Sequence, residues 1–209
     1  MSICMHGNGY ELIIFQKLFF YRNFTYYYGK SAKQAVPFLA LRYDAKDEQY
    51  HFNGRCLRSE VKICLFHEKS YFFSPLPIFG EIYIDGSLMA NIKIDLIDAG
   101  KYAEISMVHG KVISLEKEDK KQTVSNINVN FDNEKILQFF VPEKKINNLK
   151  IAFFIARDLL FYQLQRIASF CNYNYFELLK EEERISILLM LPLYENFIRK
   201  HFNQSFITP

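Results

Sequence analysis

Residues 50–66, YHFNGRCLRSEVKICLF, decide how the chain is read. Asn53-Gly54 suits the two left-handed positions of a type I′ turn, so this stretch is predicted to be a hairpin turning at 53–54. Downstream of the turn, Glu60 and Lys62 stand two residues apart and therefore share one face of the returning strand.

The same grammar extends in both directions. Asp85-Gly86 repeats the turn signal between GEIYI and SLMANIKIDLI, and Ala99-Gly100 and His109-Gly110 punctuate KYAEISMV and KVISLEKE. Upstream, ELIIFQKLFFYRNFTYYY is rich in aromatic and β-branched residues without a helical stripe, which predicts two strands with a break near Arg22-Asn23. VPFLALRY adds a strand, while SPLPIFG, with Pro75 and Pro77, is a loop or edge segment because proline donates no ladder hydrogen bond. EKEDKKQ reads as a solvated turn, and NINVNF and KILQFFV as two further strands.

After Pro142 the pattern becomes helical. NNLKIAFFIARDLLFYQLQRIASFC carries a broad apolar arc and an Asn147 or Asn148 cap, and NYFE offers Asn174 as the cap of a second helix with Glu177 three residues on. That second helix runs through ELLKEEERISILLMLPLYENFIRKHF, is kinked or split at Pro192, and carries Arg199, Lys200 and His201 at its negative end. The expectation is an α+β fold: an antiparallel, twisted β-meander or half-open barrel followed by two long C-terminal helices packed on it. Residues 1–145 form the β-rich part and 146–209 a helical hairpin, together one cooperative domain.

Bulk properties bound the function. At 209 residues the chain can bury one sizeable core, and its 50% apolar and 23% charged composition is that of a folded domain. A net charge of +3 is too small for a strong long-range field toward nucleic acid or anionic lipid. Aromatic packing relies on 21 Phe and 14 Tyr with no Trp. Cys4, Cys56, Cys64 and Cys171 are scattered, form no Cys-x-x-Cys, and are read as reduced thiols. The first residues lack a basic n-region, and the apolar run ISILLMLPLY is ten residues, half of what a membrane-spanning helix needs. The expected location is the cytoplasm, and export without a cleavable signal is compatible with the same sequence.

Several chemistries are tested by their residue requirements. Glu60-Val-Lys62 resembles, in one respect, the Glu and Lys that PD-(D/E)xK nucleases direct at a divalent ion, with Asp44 or Asp47 as the further carboxylate. RYDAKD lacks the Pro-Asp context of those enzymes, so this stands as a second alternative. Gly29-Lys30-Ser31 is the tail of a phosphate loop, but Phe24 occupies the position where the opening glycine belongs. His51, Cys56, Cys64 and His67 do not repeat as a compact zinc pair, and no Gly-x-Ser-x-Gly elbow occurs. No metal, cofactor or catalytic residue is assigned.

Two binding readings remain. The aromatic and basic stretch 19–33 could stack bases and track phosphates of single-stranded nucleic acid. The favoured expectation is a non-enzymatic protein-binding module, such as an inhibitor, immunity-type, accessory or effector protein of a microbial system. Its partner is expected to be another protein, met through an aromatic sheet surface of Phe19, Tyr21, Arg22, Tyr26, Tyr28, Phe72 and Phe73, because Tyr and Arg anchor interfaces. The broad apolar arc of the first C-terminal helix also allows a dimer.

Overall fold

The computed structural model describes residues 13–17, 23–30, 34–46, 49–67, 77–95, 101–118, 124–142, 164–194 and 198. Twelve strands appear in chain order: β1 (Ile13–Lys17), β2 (Asn23–Gly29), β3 (Val36–Lys46), β4 (Gln49–Cys56), β5 (Ser59–His67) and β6 (Ile78–Ile84), then β7 (Ser87–Ile94), β8 (Lys101–Met107), β9 (Val112–Glu118), β10 (Val124–Phe131), β11 (Glu134–Pro142) and β12 (Leu164–Phe170). Helices α1 (Tyr173–Leu178) and α2 (Glu181–Leu193) follow. The fold is α+β, an antiparallel meander with C-terminal helices, as the turn signals predict. The meander goes further than half-open: β1 pairs with both β2 and β12, and the sheet closes into a barrel. Closure removes the unpaired edges that an open sheet must protect.

Alternation along each strand separates wall from lumen. In β6, Ile78, Gly80, Ile82 and Ile84 are buried while Phe79, Glu81 and Tyr83 are half-buried on the outside. Register carries this phase around the wall, so that Phe52, Ile63, Ile82, Ala90 and Met107 form one inward row across five strands. A second row runs through Ile92, Ile105, Ile113 and Phe131.

The lumen is filled by α2. From Ile185 to Leu193 every residue of this helix is buried, so it has no solvent face, the mark of a helix enclosed on all sides. Tyr194, just past its end, lies 4.4 Å ring to ring from inward-facing Phe139 of β11. At its start the Glu183 carboxylate accepts the Lys180 N–H at 2.9 Å, and the acidic run Glu181, Glu182 and Glu183 suits the positive end of the helix. The short α1 lies across this end of the barrel, with Phe176 4.8 Å from Phe170 and Tyr175 6.5 Å from Phe131. No described helix is long and apolar enough to cross a membrane.

Three expectations are corrected. Asn53-Gly54 is not a turn: it lies inside β4, and the hairpin reverses at Leu57-Arg58, with Leu57 at a φ of 55°. Glycine is needed at 54 because a Cβ there would come within 2.0 Å of the Ala40 carbonyl oxygen on β3. The turn at Asp85-Gly86 forms as expected, with φ of 49° and 81°. Leu164–Phe170, read as the end of a helix, is the strand that closes the barrel, and the earlier part of that expected helix, with the caps Asn147 and Asn148, lies outside the described residues. The cap of α1 is Asn172, whose side chain accepts the Tyr175 N–H at 3.1 Å, whereas Asn174 is already helical. Most of the apolar arc expected to allow a dimer, up to residue 163, also lies outside the described residues. Arg199, Lys200 and His201 lie outside the described residues.

One polar atom in the lumen stands out. The Ser186 hydroxyl is fully buried and has no hydrogen-bond partner. Replacing it should remove a desolvation cost, so Ser186→Ala is expected to leave stability unchanged or raise it by about 1 kcal/mol. By contrast Leu189→Ala should lose about 2–5 kcal/mol by emptying the lumen, and Gly54→Ala roughly 1–3 kcal/mol by forcing β3 and β4 apart. Urea unfolding of the three variants checks the set.

Candidate binding surface

The outer face of β3 to β7 collects the chemically varied side chains of the barrel. Because strands lie about 4.8 Å apart and successive same-face residues about 7 Å apart, register gives its layout. One row reads Arg42, Asn53, Lys62 and Tyr83 across β3 to β6. The next row reads Asp44, His51, Cys64 and Glu81, and a third places Phe66 beside Phe79, with Lys93 following on β7. On the other side of the first row, Arg55 stands opposite Glu60, and Arg58 projects from the turn.

Phe66 and Phe79 stack with ring centroids 6.4 Å apart, and Phe66 is 39% exposed on a mainly polar face that also carries Leu88, opposite Tyr83 on β7. Close by, the Tyr83 hydroxyl donates to the Glu81 carboxylate at 2.7 Å, which raises the Tyr83 pKa because ionisation would break that bond beside a negative charge. Burial raises the Cys64 thiol pKa, Lys62 partly opposing it and Glu81 adding to it, so Cys64 is not poised as a thiolate nucleophile despite its neighbour His51. Inside the wall, burial pushes the Cys56 thiol strongly up, with Glu181 contributing.

Of the surface residues expected from the sequence, the two that are described, Tyr26 and Tyr28, are placed differently. Tyr26 is not on the surface: it is fully buried, facing the lumen in register with Leu39. Tyr28, two residues on, takes the same inward phase and packs edge-to-face on Phe38 at 5.3 Å, half-buried. A wide lumen favours large rings, so the tyrosine alternation points into the barrel, and Tyr26 cannot stack a base or anchor a partner. Phe19, Tyr21, Arg22, Phe72 and Phe73 lie outside the described residues. Glu60 and Lys62 do share an outer face and both are exposed, yet Asp44 is two rows from Glu60 in register and the carboxylates do not converge. Asp47 lies outside the described residues, and among those described no group of three His, Cys, Asp or Glu is placed to hold a metal ion.

Phe66 and Phe79 were missed although a signal existed. Both fall in the polar phase of their strands, where Glu60, Lys62, Glu81 and Tyr83 stand, so each is an aromatic residue out of place for a core.

On the opposite side of the barrel the outer face is self-satisfied. Glu116 accepts from Ser114 at 2.7 Å and Asn130 at 3.1 Å, and Glu118 accepts from Gln138 at 3.2 Å with Lys135 at 4.0 Å. Lys101 bonds Glu104, Lys111 bonds Asp132, and His109 lies 3.7 Å from Glu183 at the start of α2. No family model matches the sequence, and neither the curated proteins nor the solved structures contain a match.

The Lys101 ammonium is the main cause holding the Glu104 carboxyl below its usual 4.5, aided by the Ser106 hydroxyl at 3.1 Å and opposed by burial. A depressed folded-state pKa contributes stability that is fully present above 4.5 and is lost as pH falls through the lower folded value. Because the side chain is 34% exposed, the contribution should stay under about 1 kcal/mol. Urea midpoints measured from roughly pH 6 down to 3 should fall less steeply in Glu104→Gln than in the parent.

Proposed function

We propose that this chain is a non-enzymatic protein-binding module, of the inhibitor, immunity-type, accessory or effector kind found in microbial systems. The observation that carries the reading is the stacked Phe66–Phe79 pair on the outside of a closed barrel. The barrel needs neither ring for its core, which is complete on the other side of the wall. An outward aromatic pair, Phe66 exposed and Phe79 half-buried, rimmed by Lys93, Glu81 and Tyr83 has the composition of an interface anchor: apolar area at the centre and polar groups that fix orientation around it.

The closed sheet supports side-chain recognition: among the described strands none is left as a free edge to accept an added strand, so a partner would be met on the outer face rather than by main-chain pairing. Expected partners are other proteins, and a cytoplasmic setting is consistent with reduced thiols at Cys56, Cys64 and Cys171.

The test is capture of partners by tagged protein from its native cell lysate, nuclease-treated, compared with a Phe66→Asp/Phe79→Ser variant of equal melting temperature. Loss of an interface anchor should weaken a specific partner by about thirtyfold or more. Equal recovery of the same proteins by parent and variant removes this surface from the argument.

A further inference from the structure

Charge is distributed unevenly over the barrel. On β7 to β11 and at the mouth, most of the described basic side chains sit against carboxylates: Lys93 on Asp95 at 3.4 Å, Lys135 on Glu118 at 4.0 Å, Arg184 on Glu177 at 3.9 Å, and Lys101 and Lys111 on Glu104 and Asp132, while Lys117 on β9 and Lys180 before α2 are exposed and outside these pairs. On β3 to β5 the situation reverses. Arg42, Arg55, Arg58 and Lys62 are all exposed, and among the described residues none has an ion-pair or hydrogen-bond partner. Even Glu60, directly opposite Arg55 in register, makes no ion pair with it.

These cations lie around one point. Arg42 and Lys62 flank Asn53, which puts them about 10 Å apart, and Arg55 stands one row further along β4, about 7 Å away. The cluster is continuous with the aromatic pair, because Lys62 and Phe66 are four residues apart on β5, about 13 Å. Between them lies the row of Asp44, His51, Cys64 and Glu81, which is hostile to a third negative charge.

Resting on the protein-binding reading above, we propose that the occupant of this face is an extended acidic segment of a partner protein laid along β5. An extended peptide shows alternate side chains on one face at about 7 Å intervals, the same interval as the rows of the barrel. Its facing residues would then be read in order: a carboxylate at Arg55 and Arg58, a carboxylate between Arg42 and Lys62, an uncharged residue over His51 and Cys64, and an apolar residue on Phe66 and Phe79. Arginine is suited to the first two positions because its planar fork takes a carboxylate in two hydrogen bonds. A continuous polyphosphate fits less well, since Asp44 and Glu81 interrupt the positive face at the row of His51 and Cys64.

The probe is a fluorescein-labelled nonapeptide, Gly-Glu-Ser-Asp-Ser-Thr-Ser-Leu-Gly, titrated with full-length protein by anisotropy at low ionic strength. Binding is expected, weakening with salt. Arg42→Glu/Lys62→Glu should lower affinity at least about tenfold, and Phe66→Asp by a similar factor. A peptide with the order of its facing residues reversed should bind worse than the probe. Equal binding of the reversed peptide, no binding of the probe, or indifference to the charge reversal each overturns the proposal. So does tighter binding of a labelled oligothymidylate at the same salt, which would make this face a nucleic-acid surface. The two readings separate in the capture experiment: if Phe66→Asp/Phe79→Ser loses partners while Arg42→Glu/Lys62→Glu retains them, the protein-binding surface stands and the acidic segment falls.

Discussion

A barrel wall of twelve strands encloses more volume than its own side chains can fill. Eight strands leave an interior just wide enough for inward side chains, and the diameter grows with strand number. The lumen here would be a void or a water-filled channel, and an apolar lining of Ile, Leu, Val and Phe tolerates neither. One helix of thirteen residues, about 20 Å long, solves this if it is apolar on every side. ISILLMLPL meets that requirement and would be a poor surface helix for the same reason. The apolar composition, the tyrosines that point inward from β2 and the capping carboxylate at Glu183 all follow from the need to seat this plug.

Filling the lumen in this way frees the outer wall. With the core complete on one side, the outward phase of each strand carries no packing duty and its residues are set by solvent and by contacts with other molecules. That separation makes Phe66 and Phe79 informative. In an open sheet covered by helices the same residues would be ordinary core, whereas on this closed wall they lie on the side away from the lumen.

The legible parts of the fold were those governed by local period and turn chemistry. Asp85-Gly86 needs positive φ at two successive residues and forms the turn it advertises; the alternation of IFGEIYI describes β6 directly. The failures share one cause, which is tertiary contact. Asn53-Gly54 imitates a turn, but its glycine answers a close approach of the Ala40 carbonyl, a constraint invisible from β4 alone. Leu164–Phe170 continues a plausible helical arc and becomes a strand between β1 and β11, each of which would otherwise have a neighbour on one side alone. Tyr26 looked like a surface aromatic since the inward phase of β2 could not be assigned before the wall was known to be closed. The binding surface was legible only in part: aromatic residues in a polar phase can be read from sequence, while the neighbourhood of Arg42, Arg55 and Lys62 depends on a register spanning three strands.

The order of elements has a consequence for how the chain reaches this state. Ile13 waits for Ser169 before β1 gains its second neighbour, and the helix that fills the lumen begins only twelve residues after that, at Glu181. Wall closure and lumen filling therefore both wait for the segment made after the first eleven strands. Eleven strands made earlier must persist with an apolar inner face still open to water, a high-contact-order route that is slow and vulnerable to association. During synthesis on a ribosome the first eleven strands are a waiting mould, and the segment from β12 through α2 that emerges after them is both its clasp and its filling.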